Sequence, residues 1–316
     1  MRYLQLFLGF CLPLSLYGQG CCSGGPPLSG SLGLEPIQGR YWQVESIFDY
    51  NTQQDLVSGT KSFADNPRNR LTYAGLLRVS YALNARLSFT VLTSWVRQEE
   101  RVRRVGGGQS INYAQGLGDA VLLGQYQVMQ QKRYSLFAGL GVTLPIGETS
   151  DANPDTGIPF HPDMQAGRGA ADIIGSTLFT WNIGLRPTSS LFTQVTCRLS
   201  RAADRYQGLQ SYQFGNELRV LAGFGDQFLI GKQLILPAIS AVFRTTKEDL
   251  INGLPSPNTG GIWWHLRFGL QWPITPNFEA RGFIETPVAW QLQGTQLTTS
   301  LRTRLSLRYS WGAEKS

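Results

Sequence analysis

The sequence is poor in charged residues and contains only two histidines. Asp, Glu, Lys and Arg together make up 16% of the 316 residues, against about 25% in a typical soluble domain. The two histidines, His161 and His265, lie far apart in the sequence and are poor material for a metal site. The composition therefore argues against an ordinary soluble enzyme, and it gives no reason to expect a cofactor.

Long apolar runs are also lacking beyond the N-terminus. No later segment reaches the roughly 18 consecutive apolar residues that a membrane-spanning helix needs. The first 20 residues differ, because Arg2 is followed by the apolar run 3–16 and then by small residues at Gly18 and Gly20. This order is typical of a secretory signal peptide, here residues 1–20. The sequence predicts an exported chain without a single internal transmembrane helix.

Cysteine is scarce, and after removal of the signal peptide its number is odd. Cys21, Cys22 and Cys197 remain, which does not suit a disulfide framework in an oxidising compartment. Lipidation of Cys21, a soft-metal site and incidental thiols stay open as interpretations. Segment 21–38, which begins with the first two cysteines, is rich in Gly, Pro and Ser. We interpret it as a periplasmic segment or a plug.

The sequence does have a strong alternation of apolar and polar residues with a period of two. It is clearest in residues 116–146, where two alternating runs are joined by a polar turn at 130–133. Period two places successive side chains on opposite faces of a β-strand. Val121 and Leu123 are apolar exceptions on the polar face of the first run. One face of the second run carries Tyr134, Leu136, Ala138, Leu140, Val142 and Leu144.

The same alternation continues to the end of the chain and predicts about twelve strands. The connections after strands one, three, five and nine are long, those after two, four, six and ten are short, and that after eight is intermediate. Short periplasmic turns and longer outer loops are typical of outer-membrane barrels. The long loops are 52–70, 106–115, 147–169 and 248–260. Besides the two strands within 116–146, the predicted strands are 39–51, 71–83, 86–105, 170–183, 189–205, 211–224, 233–246, 261–272, 278–291 and 297–311.

No segment supplies a separate core, so the apolar faces of the strands are expected to meet outer-membrane lipid. The mean hydropathy of −0.15 agrees with this, because a barrel alternates lipid-facing and lumen-facing residues. The 36 glycines and 11% aromatic residues suit curved strands with interfacial girdles. We predict an all-β chain that forms one antiparallel barrel over residues 39–312, in the outer membrane of a Gram-negative bacterium.

Three short motifs carry a family resemblance. They are Gly-Leu-Gly-Asp at 116–119, Leu-Pro-Ile-Gly at 144–147 and Gly-Arg-Gly at 167–169. Together with the alternating strands around them, they resemble the porin-like family named for the meta-pathway of phenol degradation. The match is close at these motifs and holds by pattern elsewhere. The resemblance implies an outer-membrane β-barrel of a kind often described as a transporter.

The polar faces of the predicted strands are rich in arginine, and five of these arginines lie on the last three strands. Two interpretations stay open. The arginines form a path that favours anions, or they are neutralised by carboxylates on neighbouring strands. Because the net charge of +7 is spread along the strands, a nucleic-acid partner is not expected. The candidate lumen-lining residues are Arg78, Arg198, Arg219, His265, Arg267, Arg281, Arg302, Arg304, Arg308, Glu45, Asp119 and Glu217.

The function predicted from these patterns is the passive passage of small solutes, with anionic or aromatic solutes as first candidates. Two alternatives come from other classes of protein. One is an outer-membrane lipid hydrolase that uses His265 with Ser306 or Ser310. The other is a closed barrel that serves as an anchor or adhesin through its outer loops. The acidic loop residues Asp151, Asp155 and Asp163 match no defined calcium-loop spacing and are expected to be solvated.

Overall fold

The computed structural model describes residues 41–103, 106, 108–208 and 210–312. The predicted signal peptide and segment 21–38 lie outside these residues, as do Cys21 and Cys22. The described part contains nineteen β-strands and one short 3-10 helix. Within it, no helix has the length and apolar character needed to cross a membrane.

Twelve strand positions form the wall of the structure. Strand β5 (Gln109–Leu117) and strand β6 (Ala120–Gln130) share one position, because both pair with the same neighbour and only Gly118 and Asp119 separate them. The other wall strands are β1 (Tyr41–Ser58), β3 (Arg68–Ala82), β4 (Leu87–Arg103), β7 (Tyr134–Leu144), β8 (Ile173–Asn182), β9 (Ser190–Leu199), β12 (Glu217–Gly225), β14 (Gln233–Thr246), β17 (Gly261–Pro273), β18 (Phe278–Leu292) and β19 (Thr295–Gly312).

Short elements decorate the two ends of the wall. Strand β2 (Lys61–Phe63) folds back on β1, and β13 (Phe228–Ile230) folds onto β14. The loop between β7 and β8 holds the 3-10 helix Pro162–Met164. A separate four-stranded sheet is made by β10 (Ala202–Tyr206), β11 (Gln210–Gln213), β15 (Leu250–Ile251) and β16 (Leu254–Pro255).

Each wall strand pairs antiparallel with its neighbours in the sequence, and the first and last strands close the ring. The closing pair β1–β19 runs from Tyr41 opposite Gly312 to Ser58 opposite Thr295. A closed barrel leaves no unpaired strand edge, which a sheet surrounded by lipid requires. We call the end with Tyr41 and Gly312 the turn end and the opposite end the loop end. The prediction of a barrel of about twelve antiparallel strands is confirmed.

The alternation of the sequence divides the side chains between the two faces of the wall. On β1 the exposed residues Trp42 and Phe48 alternate with the buried Gln43, Glu45 and Asp49. Outward aromatic residues gather near the turn end, as in the interfacial girdles of membrane barrels. These include Trp42, Trp181, Trp272, Tyr309 and Trp311. A polar interior and an apolar exterior place this barrel in a membrane, which confirms the predicted location.

Several predicted strand boundaries were wrong at the loop end. Most of the predicted loop 52–70 is strand, because β1 continues to Ser58 and β3 begins at Arg68. Most of the predicted loop 106–115 is β5. These segments extend the ladder beyond the lipid-facing zone, where the outward face no longer has to be apolar. Apolar alternation therefore underestimated their length.

Two predicted strands were wrong in another way, because each is divided in two. The predicted strand 189–205 consists of β9 and β10, and the predicted strand 211–224 consists of β11 and β12. The chain leaves the wall at Ser200 and Arg201 and returns at Glu217. Between these points β10 and β11 pair with each other and then with β15, from another loop. Alternation alone does not reveal a change of sheet.

A test of the membrane position uses Leu305, which is 60% exposed near the middle of β19. Leu305→Arg is expected to destabilise the barrel by about 2–4 kcal/mol, because an arginine side chain would enter the hydrocarbon layer. Equilibrium unfolding in urea, with the protein in phospholipid vesicles, measures this free energy. Leu305→Met is the control and should cost less than about 1.5 kcal/mol. Equal effects of the two substitutions would contradict the assignment.

Candidate functional site: the lumen

The predicted lumen residues, with one exception, lie at inward positions of the wall strands. Arg78, Arg198, His265, Arg304, Arg308 and Glu45 are buried inside the barrel, and Arg219, Arg267, Arg281, Arg302 and Glu217 share the inward side of their strands. Asp119 is the exception, since it lies at the break between β5 and β6. The barrel interior brings these residues together, although their sequence positions span most of the chain.

Glu285 lies at the centre of a set of ion pairs that crosses the lumen. Its carboxylate accepts hydrogen bonds from Arg267 on the neighbouring strand (2.5 Å) and from Arg219 (2.9 Å). Arg219 is on β12 and Glu285 is on β18, so two other wall strands, β14 and β17, separate them. Nearby, Arg244 donates two hydrogen bonds to one oxygen of Glu217, at 2.8 and 3.0 Å.

Asp49 forms the second part of this set. Arg302 and Arg304 both reach its carboxylate, at 3.0 and 2.6 Å. The Asp49 side chain is almost completely buried, so the two guanidinium groups compensate its loss of hydration. We define the charged belt as the residues of these pairs, namely Asp49, Glu217, Arg219, Arg244, Arg267, Glu285, Arg302 and Arg304.

A further set of ion pairs lies between the charged belt and the turn end. Glu45 pairs with Arg78 on one neighbouring strand (2.9 Å) and with Arg308 on the other (3.6 Å). Glu279 pairs with Arg281 on its own strand and with Arg308 at 4.0 Å. These contacts link β3, β1, β19 and β18 along the inner wall.

Positive charge exceeds negative charge in this network. Among the described residues, seven arginines pair with Glu45, Asp49, Glu279 and Glu285. Three positive charges therefore remain after each carboxylate is matched once. Pairing between strands agrees with the interpretation that the charges neutralise one another, and the surplus is what an anion path requires. The seven are Arg78, Arg219, Arg267, Arg281, Arg302, Arg304 and Arg308.

Another part of the lumen surface, beside these charges, is apolar. Val121 and Leu123, the two exceptions in the alternation of β6, are almost completely buried. They pack in one cluster inside the barrel with apolar side chains from four other wall strands and one loop. The cluster comprises Ile47, Ala74, Leu76, Leu92, Val96, Val121, Leu123, Ala166 and Ile174. The interior is thus filled on this side by packed hydrocarbon.

The loop member of that cluster, Ala166, belongs to a long loop that folds into the barrel. We call residues 145–172, between β7 and β8, the inward loop. Asp119 fixes both of its ends, because its carboxylate accepts hydrogen bonds from the backbone N–H groups of Gly147 (3.0 Å) and Arg168 (2.9 Å). Gly147 and Gly167 touch so closely that a Cβ atom on either would lie within 2.7 Å of the other's backbone. The three motifs of the family resemblance therefore meet at one anchor.

The middle of the inward loop is bound to the wall by Asp163. Arg70 on β3 donates to its carboxylate at 2.6 Å, and the Gln98 side chain donates to its backbone carbonyl at 3.0 Å. His161 Nδ1 lies 2.8 Å from the other carboxylate oxygen. Burial of the Asp163 carboxylate favours its neutral form, but Arg70 and His161 outweigh burial and hold the pKa of Asp163 well below its usual value. The expectation that Asp163 is solvated was therefore wrong, because its side chain is largely buried and paired with Arg70.

The same contact changes His161. Burial lowers the pKa of the His161 imidazole, but the hydrogen bond and negative charge of Asp163 outweigh this effect and raise the pKa above its ordinary value. Arg70 opposes the increase, and Asp249 adds to it. Protonated His161 therefore holds the inward loop more firmly than neutral His161.

Two other loops cover the inward loop at the loop end. Tyr206 donates a hydrogen bond to the carbonyl of Gly167 (3.1 Å), and the Gln207 side chain donates to that of Phe160 (2.6 Å). Tyr212 donates to the carboxylate of Asp249, which joins the loop after β9 to the loop after β14. These loops carry the separate four-stranded sheet, so that sheet belongs to a cap over the barrel.

Two cavities lie on either side of the charged belt along the strands. The inner cavity, near the turn end, has a volume of about 410 Å³, and the outer cavity, near the loop end, about 500 Å³. They share no lining residue. Asp49, Glu285 and Arg302 of the belt line neither cavity, although Arg267 and Arg304 reach the inner one. Both volumes lie in the range of about 300–1,000 Å³ that small-molecule sites occupy.

The geometry does not favour the hydrolase alternative. Ser306 is opposite Arg281, which is opposite Gln271, six positions along β17 from His265. At about 3.3 Å per residue this separates Ser306 from His265 by about 20 Å. The Ser306 hydroxyl donates instead to Glu45 at 2.7 Å. Ser310 lies still further toward the turn end.

Sequence reasoning missed several residues that shape the lumen. Arg70 was placed in a predicted loop, so its inward position was hidden. Arg244 and Phe283 lie on predicted strands. Their positions in the two-residue alternation would have placed both side chains on the inward face. Phe283 shares the inward face of β18 with Arg281 and Glu285, and its ring centroid lies 3.9 Å below the guanidinium carbon of Arg267. This aromatic residue on an otherwise polar strand face indicated that the lumen surface is partly charged and partly apolar.

Comparison with known proteins gives matches to solved structures alone. No family model matches the chain, and no curated protein matches it. An outer-membrane channel from Pseudomonas putida F1 is similar with a TM-score of 0.68 and 12% identity, over 88% of this chain and 98% of that one. The β-domain of the Bordetella autotransporter BrkA is similar with a TM-score of 0.51 and 11% identity, over 86% and 100%.

These likenesses concern the fold. They confirm the prediction that the chain folds as an outer-membrane β-barrel, since both similar proteins have that architecture. The family named for the meta-pathway of phenol degradation is not supported by a family model. The porin-like part of the resemblance agrees with the structure, and the finer family assignment stays a hypothesis.

The loop anchor can be tested with Asp119→Asn. Asn keeps one acceptor oxygen but turns an NH₂ group toward a backbone N–H, so one of the two hydrogen bonds is lost. Hydrogen bonds to charged groups contribute about 1.5–3 kcal/mol, so hydrogen–deuterium exchange of the inward loop should accelerate about tenfold or more. Asp155→Asn, at an exposed position of the same loop, is the control. Unchanged exchange in Asp119→Asn would refute the anchor.

The contact of His161 with Asp163 predicts a pH dependence. Because the pKa of His161 is raised on folding, its contribution is complete below the unfolded value of about 6.5 and is lost as the pH rises through the folded value. Exchange protection of the inward loop, corrected for intrinsic rates, should fall as the pH rises from 5.5 to 8.5. His161→Gln should abolish this change. A wild-type profile that the variant reproduces would contradict the role of His161.

Proposed function

We propose that this barrel is a channel for the passive passage of small solutes across the outer membrane. The observation that carries the proposal is the presence of two cavities, one lined by residues toward the turn end and one by residues toward the loop end, with the charged belt between them along the strands. A barrel that serves only as an anchor has no need of a solute-sized cavity on each side of a charged belt. In this conformation the belt and the inward loop narrow the path.

The arginines of the charged belt are suited to exchange a carboxylate partner for an anionic solute. Each of Asp49 and Glu285 is shared by two arginines, so a guanidinium group can turn to an incoming anion while the carboxylate keeps the other partner. The surplus of positive charge favours anions over cations in the lumen. Conduction requires weak binding at several sites, because a solute must be able to leave the channel as well as enter it.

The inward loop is the second element that would regulate passage. It reaches the wall through Arg70 and Gln98 on the loop-end side and contributes Ala166 to the apolar cluster. Its anchor at Asp119 holds its two ends, and the intervening segment would shift only after the contacts of Asp163 with Arg70 and Gln98 are released. We propose that movement of this segment widens the connection between the cavities. Segment 21–38 stays a second candidate plug.

Two comparisons support the channel proposal but do not identify the solute. The similar protein of Pseudomonas putida F1 is described as an outer-membrane channel. The resemblance to the phenol-degradation family offers aromatic solutes as a hypothesis. The apolar outer face of the barrel contacts the lipid of the outer membrane. We assign no enzymatic activity, since the described lumen holds His265 apart from the proposed serines.

The proposal is tested by electrical recording on the purified full chain in planar bilayers, with the reversal potential measured under a KCl gradient. We expect open steps with anion preference. Glu279→Gln adds one positive charge to the lumen and Arg281→Gln removes one, while both abolish the same ion pair. The reversal potential should therefore shift in opposite directions in the two variants.

The double variant Arg281→Gln with Glu279→Gln restores the original net charge and is the control. Its reversal potential should return to that of the wild type. Absence of open steps at all voltages would refute the channel. Shifts in the same direction would show that loss of the ion pair, and not lumen charge, governs selectivity.

A further inference from the structure

The inner cavity has two unlike walls. On one side, arginines of four strands face the space: Arg78, Arg267, Arg281 and Arg304. On the other side, apolar residues of another four strands face it. These are Leu178, Phe192, Leu221 and Leu236. A neutral apolar solute would leave the first wall unused, and a small inorganic anion would leave the second unused.

Phe283 adds an aromatic ring to the arginine wall. Its ring lies under the guanidinium groups of both Arg267, at 3.9 Å, and Arg304, at 5.0 Å. Stacking on an aromatic face fixes the plane of an arginine while leaving its N–H edge able to donate. The same ring offers apolar surface to a solute in the cavity, beside those donors.

The charge around the cavity calls for an anion. The seven paired arginines exceed their four carboxylates, and four of the seven line this cavity. Two acidic residues also line it, and both are engaged. Glu45 pairs with Arg78 at 2.9 Å, and Asp226 accepts from Thr188, Ser189 and Arg186 at the rim. A carboxylate matches the planar fork of an arginine with two hydrogen bonds.

Glycine provides the room beside the arginines. Gly269 lies on β17 between the inward Arg267 and Gln271, and a Cβ atom added to it would meet nothing nearer than a carbonyl oxygen at 3.8 Å. A larger side chain there would project into the cavity without removing any charged group. Gly175 on β8 is equally open but lies on the outward face, next to the inward Ile174.

We propose that the inner cavity is a binding site for a small carboxylate with an apolar body about the size of one ring. The body lies against the Leu178, Phe192 and Leu221 wall and the Phe283 ring. The carboxylate pairs with the arginines, and Arg281 has the most exposed side chain of these. This inference rests on the proposed function for the route by which the solute arrives.

Equilibrium dialysis with the full chain in lipid nanodiscs tests the proposal, using benzoate as the probe. Benzyl alcohol is the uncharged counterpart, and acetate is the anion without an apolar body. Benzoate is expected to bind at least about tenfold more tightly than either. Equal binding of benzyl alcohol, equal binding of acetate, or no binding of benzoate would each overturn the proposal.

Variants locate the site. Gly269→Leu should abolish benzoate binding by filling the cavity, while Gly175→Leu, the same change on the outward face, should leave it intact. Arg281→Gln should weaken binding about tenfold. Glu279→Gln, which loses the same ion pair but keeps the arginine, should not weaken it. Binding that survives Gly269→Leu would overturn the assignment to this cavity.

The dialysis and conductance measurements together test the binding-site proposal independently of the channel proposal. Ion conductance without benzoate binding would reject the solute class and leave the channel standing. Benzoate binding without conductance at any voltage would support the site and reject the channel. Conductance that benzoate reduces in the wild type and Gly175→Leu, but not in Gly269→Leu, is the expected result for both proposals together.

Discussion

A strand that crosses lipid must satisfy every backbone hydrogen bond within the protein, and the rest of this structure depends on that constraint. The pairing of β1 with β19 meets it by closing the ring. Once the ring is closed, each strand has one face in hydrocarbon and one face inside. The alternation of apolar and polar residues follows, and arginines that would be costly toward lipid are confined to the lumen.

Confinement of charge then determines what the lumen is able to do. Buried arginines and carboxylates compensate one another only if they meet in good geometry, and the contacts of Glu285 and Asp49 are short. Because arginines outnumber carboxylates in this set of ion pairs, compensation there is incomplete and a positive surplus remains. The apolar cluster beside these charges consists of packed hydrocarbon side chains. A solute in this barrel thus meets two chemically different surfaces at once.

The turn end and the loop end of the barrel differ in structure. At the turn end the connections are short and the aromatic girdle meets the membrane surface. At the loop end the inward loop, the separate sheet and the contacts of Tyr206 and Tyr212 form a cap. The Asp119 anchor explains why three short motifs occur together, since the glycines permit backbone contact and the carboxylate joins both loop ends. This buried carboxylate is tolerated because backbone N–H groups donate to it.

The sequence by itself determined the barrel, its strand number, the inward position of Arg78, Arg302 and Glu45, and the place of the long loop 147–169, because period-two alternation reports directly on the two faces of a strand. The tertiary structure alone decided which charges pair. Arg219 meets Glu285 across two intervening strands, and Arg70 meets a loop residue far along the chain. Such contacts depend on barrel curvature and loop packing, which alternation does not encode. For the same reason, the opposition of an arginine wall and an apolar wall became visible once the ring was closed.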